Sequence, residues 1–137
     1  MATQDKYDRQ LRMWGSEGQS KLNKASILCL GISAVGTELL KNLVLPGIGE
    51  IKIVSDRLAE ERDLGNNFFI DPQEVGQLYG AAVLANLLEL NPDVKGSHVG
   101  LSPSNYLEAH KEDIARHSLV VCDSLDFVGP FKRRISA

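Results

Sequence analysis

Cysteine is scarce in this chain. Its 137 residues hold two, Cys29 and Cys122, each inside an apolar run. Two packed free thiols suit a reducing compartment and make no disulfide framework. Long hydrophobic runs are missing as well. No window approaches the roughly 18 consecutive apolar residues of a membrane-spanning helix. The opening stretch, Met1 to Asp8, carries no apolar core, so no secretory signal is visible. A basic excess is missing too. Fifteen Lys and Arg stand against eighteen Asp and Glu, a net charge of −3. That balance argues against a nucleic-acid binder. Internal repeats and low-complexity tracts are absent. What remains is an ordinary globular composition, 43% hydrophobic and 24% charged, of one domain's length. It holds enough apolar material for a core, so disorder is not the main state.

The rhythm is strand, glycine turn, helix, strand. Ser26 to Leu30 is a short apolar run, as a strand buried on both faces requires. Gly31-Ile32-Ser33-Ala34-Val35-Gly36 follows at once, and Val35, Leu39, Leu40, Leu43 and Val44 then fall at helical spacing. Pro46-Gly47 stops that helix. Ile51 to Val54 reads as a second strand, and Arg57 to Asn67 as polar and irregular. Asp71-Pro72 fits an N-cap with proline in the first helical position. The helix it opens carries Val75, Leu78, Tyr79, Ala82, Val83, Leu87 and Leu90, and Asn91-Pro92 ends it. Val94 to Val99 predicts a third strand, Glu108 to Arg116 a short helix, and Leu119 to Cys122 a fourth strand. Phe127, Phe131 and Ile135 predict one more helix.

Such alternation gives parallel strands joined by helical crossovers, a doubly wound α/β sheet of Rossmann type. Four strands are fewer than the roughly six of a complete dinucleotide-binding sheet, so the reading is of a domain truncated after its fourth strand.

A glycine turn between strand and helix lets backbone N–H groups approach a phosphate. Gly31 and Gly36 match the first and third glycines of G-x-G-x-x-G. Ser33 stands at the second, where its Cβ lies in the way of a close phosphate. Asp56, 20 residues beyond Gly36 at the end of the second strand, is where a ribose-binding carboxylate belongs. The architecture of a nucleotide site is therefore present with its closest contact altered. Equally, Gly31 and Gly36 serve a tight turn and close helix–sheet packing.

Tyr7-Asp8-Arg9-Gln10-Leu11-Arg12-Met13-Trp14-Gly15, followed by Gly18-Gln19, resembles the N-terminal signature of the ubiquitin-like-protein activating enzymes. Leu43 to Gly49 and Asp63-Leu64-Gly65-Asn66-Asn67-Phe68-Phe69 narrow the likeness to the regulatory, non-cysteine halves of the neddylation-activating heterodimers. The resemblance is closest from Lys6 to about Asn91. It implies a ThiF/MoeB-like domain over residues 1–137, with residues 1–24 as a helical arm. Active members carry G-x-G-G-x-G, then Asn-Arg-Gln-Phe, then G-x-x-K. Here Ser33 and Ala34 replace the paired glycines. Anchored on Phe68, Asn66 stands at the Arg position, and Tyr79 stands at the Lys position. Without those cations little stabilises phosphate charge.

The resemblance thus implies an inactive half, not an enzyme on its own. It would pair with the catalytic, cysteine-bearing subunit and reach the ubiquitin-like modifier through that complex. Neither Cys29 nor Cys122 has a setting that would activate a thiolate. Arg9 matches the arginine that reaches across the interface to the γ-phosphate in the partner's site. ATP and magnesium would lie in that partner site, and this chain would bind no cofactor. Gly31, Ser33, Gly36 and Asp56 would form a degenerate nucleotide site. The alternative for Arg9 is a solvated charge or an ion pair with Asp8 or Asp5. Trp14 would be a packing anchor. Asp123 and Asp126 are candidates for the position where active members hold a magnesium-binding carboxylate. His98, His110 and His117 lack zinc-ligand spacing and read as solvated or lightly packed, so no metal site is expected. Neither nucleic acid nor membrane is an expected partner, and the expected location is cytoplasmic, nuclear or both. Rival readings are a non-catalytic SUMO-activating subunit, an NAD(P)-binding oxidoreductase domain, and an inactive truncated product.

Overall fold

The computed structural model describes residues 6–67 and 69–123. The helix expected around Phe127, Phe131 and Ile135 lies outside them, as do Asp5, Phe68 and Asp126. The described elements run α1 (Asp8–Lys24), β1 (Ser26–Leu30), α2 (Ala34–Val44), β2 (Glu50–Val54) and a single turn, α3 (Asp63–Asn66). A 3-10 turn (Pro72–Glu74) precedes α4 (Tyr79–Leu88), β3 (Lys95–Val99), α5 (Pro103–Ala109), α6 (Lys111–Arg116) and β4 (Leu119–Cys122).

All strand pairs are parallel, in the order β3-β2-β1-β4. Strand β1 is central, and its alternate residues feed two cores. Ile27 and Cys29 join Ile51, Ile53, Leu40, Val44, Val83 and Leu87 on the face covered by α2 and α4. Leu28 and Leu30 join Val54, Tyr106 and Leu107 on the face covered by α5 and α6. Full burial of each such side chain stabilises the fold by about 2–3 kcal/mol. This is the α/β sheet the sequence predicts, and its parallel sense gathers the loops after β1, β2 and β4 at one end.

The stretch from 57 to 79 departs from expectation. Asp71 and Glu74 do form a capping box, with the Asp71 N–H donating to Glu74 Oε1 at 2.8 Å, but it closes only the 3-10 turn. Gly76 then takes a positive φ of 90°, which ends any helix there. Its N–H donates to Ala59 O at 2.8 Å, Ala59 N–H to Gln77 O at 2.7 Å, and Tyr79 N–H to Arg57 O at 2.9 Å. The supposedly irregular segment after β2 thus holds residues 76–79 by backbone pairing, and α4 starts only at Tyr79. The short helix expected at 108–116 is two helices that meet at His110.

Two packing expectations also change. Trp14 is 41% exposed. Its ring lies on Gly18 of its own helix and its Nε1–H donates to Gln19 Oε1 at 3.1 Å, so it anchors nothing in the core. The His117 side chain is 1% exposed, with Nε2 3.3 Å from Asp113 Oδ2, one turn earlier in the chain. His98 is half-buried beside Gly80, and burial pushes its imidazole below the ordinary value against a contact to Ser55 O. Among the described residues no helix is long and apolar enough to cross a membrane.

Candidate functional site

Gly31 ends β1 with φ 82°, and its N–H donates to Val54 O at 2.8 Å. Ser33 is extended and caps α2; its carbonyl accepts from Thr37 N at 2.9 Å and Thr37 Oγ1 at 2.8 Å. The Ser33 N–H and hydroxyl point the other way, onto Asp123. The N–H lies 2.7 Å from Asp123 Oδ2, and Oγ lies 2.9 and 2.8 Å from the two carboxylate oxygens. Pairing of β4 with β1 delivers that carboxylate, since Asp123 N–H donates to Leu30 O at 3.0 Å. A Cβ on Gly36 would stand 2.0 Å from Asp123 Oδ2. The open face of Gly36 therefore admits a side chain of this same chain. The Asp123 charge lies at the positive end of the α2 dipole, where an anion is favoured.

Beside the turn lies an open cleft of about 340 Å³, lined by Ser33, Ala34, Val35, Arg57, Asp63, Asn66 and Tyr79. Three positions singled out in the sequence, Ser33, Asn66 and Tyr79, converge here. Asp56 is exposed and outside the lining. The cleft does hold one cation, which the sequence reading missed. The Arg57 guanidinium lies 4.0 Å from the centre of the Tyr79 ring, and its Nη2 donates to buried Asp63 Oδ1 at 2.5 Å. Asp63 also accepts the Glu60 N–H at 2.7 Å. The Tyr79 hydroxyl accepts from buried Asn67 Nδ2 at 2.5 Å, and Asn67 donates to Thr37 Oγ1 at 3.0 Å. The Arg57 charge is thus matched by Asp63, and Asp123 adds another negative group at the turn. A phosphate here meets little net positive potential.

The arm divides its signature between two faces. Tyr7 is 2% exposed, and its hydroxyl accepts from Asn91 Nδ2 at 2.9 Å and donates to Asp93 Oδ2 at 3.1 Å. Gln10 Nε2 donates to Pro46 O at 2.7 Å. Gln19 Nε2, beyond a kink at Gly15, donates to the same carbonyl at 3.0 Å. Asp8 and Arg9 are exposed. Asp8 pairs with Arg12 at 2.9 Å, so the pairing considered between Asp8 and Arg9 is taken by another arginine. Among the described residues no hydrogen bond or ion pair holds the Arg9 guanidinium. Tyr7 and Gln10 stand in the arm's signature, but sequence reasoning gave neither of them a docking role.

On the opposite face, Asp113 gathers the Lys52 ammonium at 3.0 Å, the Arg116 guanidinium at 2.6 Å, the Tyr106 hydroxyl and His117. Among the described residues no group of three His, Cys, Asp or Glu side chains is arranged to hold a metal.

A family model described as the ThiF family matches residues 7–134. The NEDD8-activating enzyme E1 regulatory subunit of Danio rerio is 44% identical over 122 residues, 89% of this chain and 23% of that protein. The NEDD8-activating enzyme E1 regulatory subunit AXL of Arabidopsis thaliana is 44% identical over 120 residues, 88% of this chain and 23% of that protein. The chain thus spans less than a quarter of the length of these curated relatives. Among solved structures, E. coli tRNA N6-threonylcarbamoyladenosine dehydratase, TcdA, in complex with ATP, shares the fold. Its TM-score is 0.75 at 18% identity, covering 88% of this chain and 49% of that one.

Proposed function

The chain belongs to the ThiF family, and on that premise we propose that it is the N-terminal part of a regulatory subunit of a NEDD8-activating enzyme. In this reading it pairs with a catalytic, cysteine-bearing subunit and performs no adenylation itself. ATP and magnesium occupy the partner's site, and Arg9 reaches that site in trans.

The observation that carries the reading is the exposure of Arg9, unpaired among the described residues, on a helix whose neighbouring side chains are docked. A planar guanidinium offers two parallel N–H groups to phosphate oxygens. Adenylation joins the modifier's C-terminal carboxylate to the α-phosphorus, and pyrophosphate leaves. An arginine on the γ-phosphate holds ATP in line for that attack and favours the charge of the leaving group. Asn66 and Tyr79, in the cleft at the positions where active members carry cations, support the inactive-half assignment, and the Ser33–Asp123 contact disfavours a dinucleotide-binding oxidoreductase, whose pyrophosphate needs the same turn.

The test is Arg9→Ala in the complete subunit paired with its catalytic partner. ATP–pyrophosphate exchange in the presence of NEDD8 should fall roughly tenfold to a hundredfold, while dimer affinity stays constant. Exchange supported by SUMO in place of NEDD8 would redirect the assignment to the SUMO-activating enzymes. Unchanged exchange in Arg9→Ala would show Arg9 to be an ordinary surface charge.

A further inference from the structure

We infer that Tyr7 and Asn91 are positioning residues for Arg9: the buried hydrogen bond between them sets the rotation of the arm's first turn and so the direction in which Arg9 leaves the domain. The inference rests on the reading of Arg9 as a ligand for phosphate in trans, and it names what makes that ligand effective.

Asn91 is fully buried and joins three segments. Its Nδ2 donates to the Tyr7 hydroxyl at 2.9 Å and to Val44 O at 2.9 Å, a carbonyl of the last turn of α2 that has no partner within the helix. Its Oδ1 accepts from Lys6 Nζ at 2.5 Å and from the Asp93 N–H at 3.2 Å. All its hydrogen-bonding capacity is committed, so the amide is fixed in orientation. The Tyr7 ring is pressed on Gly47, where an added Cβ would stand 2.7 Å from the ring, and its hydroxyl is held on both sides by Asn91 and Asp93.

Successive residues of a helix turn by about 100°. Tyr7 caps the helix and is buried, whereas Arg9, in the first turn, is exposed and adjoins Gln10, which holds Pro46 O. With Tyr7 and Gln10 both fixed, the Arg9 backbone has one orientation relative to the sheet. A long, exposed side chain on a free arm would lose more conformational freedom on meeting a distant phosphate. The clamp settles the backbone part of that cost before the partner arrives.

The experiment compares wild type, Tyr7→Phe, Arg9→Ala and the double variant, each as the complete subunit paired with its catalytic partner, by ATP–pyrophosphate exchange with NEDD8 present. Tyr7→Phe keeps the ring on Gly47 and removes only the hydroxyl. It should raise the KM for ATP roughly three- to tenfold, with kcat within about twofold and dimer affinity unchanged. In the Arg9→Ala background the same substitution should change nothing further, because a lost aim has no effect once the aimed group is gone. Gln10→Ala, at a half-buried position, is the second variant should Tyr7→Phe fold poorly, and it should show the same dependence on Arg9. A normal KM in both Tyr7→Phe and Gln10→Ala, beside a slow Arg9→Ala, would overturn the positioning role and leave the reading of Arg9 standing. An equal loss with and without Arg9 would make the clamp purely structural and overturn it as well. An Arg9→Ala enzyme at full rate would overturn both.

Discussion

Ser33 and Asp123 meet across 90 residues of chain, the serine N–H lying 2.7 Å and its hydroxyl 2.8 Å from one carboxylate oxygen. Two loops at the same end of the sheet, after β1 and after β4, are thereby joined at the start of α2. The turn that in sequence reads as a degenerate phosphate cradle spends its donors on a carboxylate of its own domain.

Gly36→Ala should destabilise the chain by about 2 kcal/mol, since the new methyl group must displace a carboxylate held by several hydrogen bonds. Asp123→Ala alone should cost about 1–2 kcal/mol through the lost charge at the helix start. In the double variant the two losses should fall short of their sum, because the clash disappears with the side chain that causes it. Urea denaturation of the four proteins measures this. Simple additivity would mean that the carboxylate does not sit over Gly36.

Asp113 should contribute to the acid limb of stability. Burial raises its carboxyl, but hydrogen bonds from Tyr106, Lys52, Arg116 and His117 outweigh burial and hold it well below its ordinary 3.8. The folded value is lower than the unfolded one. Its stabilisation is therefore complete above the unfolded value and is lost as pH falls through the folded value. Asp113→Asn should cost about 2–3 kcal/mol at pH 7. The difference from wild type should shrink progressively below about pH 4. A cost that is the same at pH 7 and pH 3 in urea titrations would count against the network.

Cys29 should be inert in the folded chain. Burial, then the Asp123 charge, push its thiol up to about 12. The thiolate is the reactive form. Ellman's reagent at pH 8 should therefore leave Cys29 unmodified in the native state and modify it fully in guanidinium. Cys29→Ser identifies the signal. Rapid native labelling at Cys29 would show that β1 opens locally.

Much of the sheet was legible because β1, β2 and β4 are apolar on alternate or both faces over four or five residues, a pattern no helix of that length shares. The start of α4 was not legible. Asp71-Pro72 carries a true capping signal, and only the backbone pairing of residues 57–59 with 76–79 stops it from propagating. The glycine turn was readable as a turn from Gly31 and Gly36. Its occupant was not, because the register of β4 against β1 decides that Asp123 arrives there. Arg57 over Tyr79 escaped for the same reason, a contact made in space by residues from two loops. His117 shows the converse error. A polar residue between Arg116 and Ser118 reads as solvated, yet its side chain is buried against the half-buried Asp113 carboxylate.

The central place of β1 also orders events as the chain leaves the ribosome. Its partner β2 follows within about two dozen residues, whereas Ser26 meets Ser118 across 92. During synthesis the β1–β2–β3 half and its α2–α4 cover are complete while the other edge of β1 still has no neighbour. Over that interval Leu28 and Leu30 have only part of their core, and the Ser33 N–H has only water. Loop closure over so long a span is slow compared with the local pairings. The nascent half-sheet therefore offers a bare parallel edge to any strand that reaches it first, and arrival of β4 both seals that edge and delivers Asp123 to the turn.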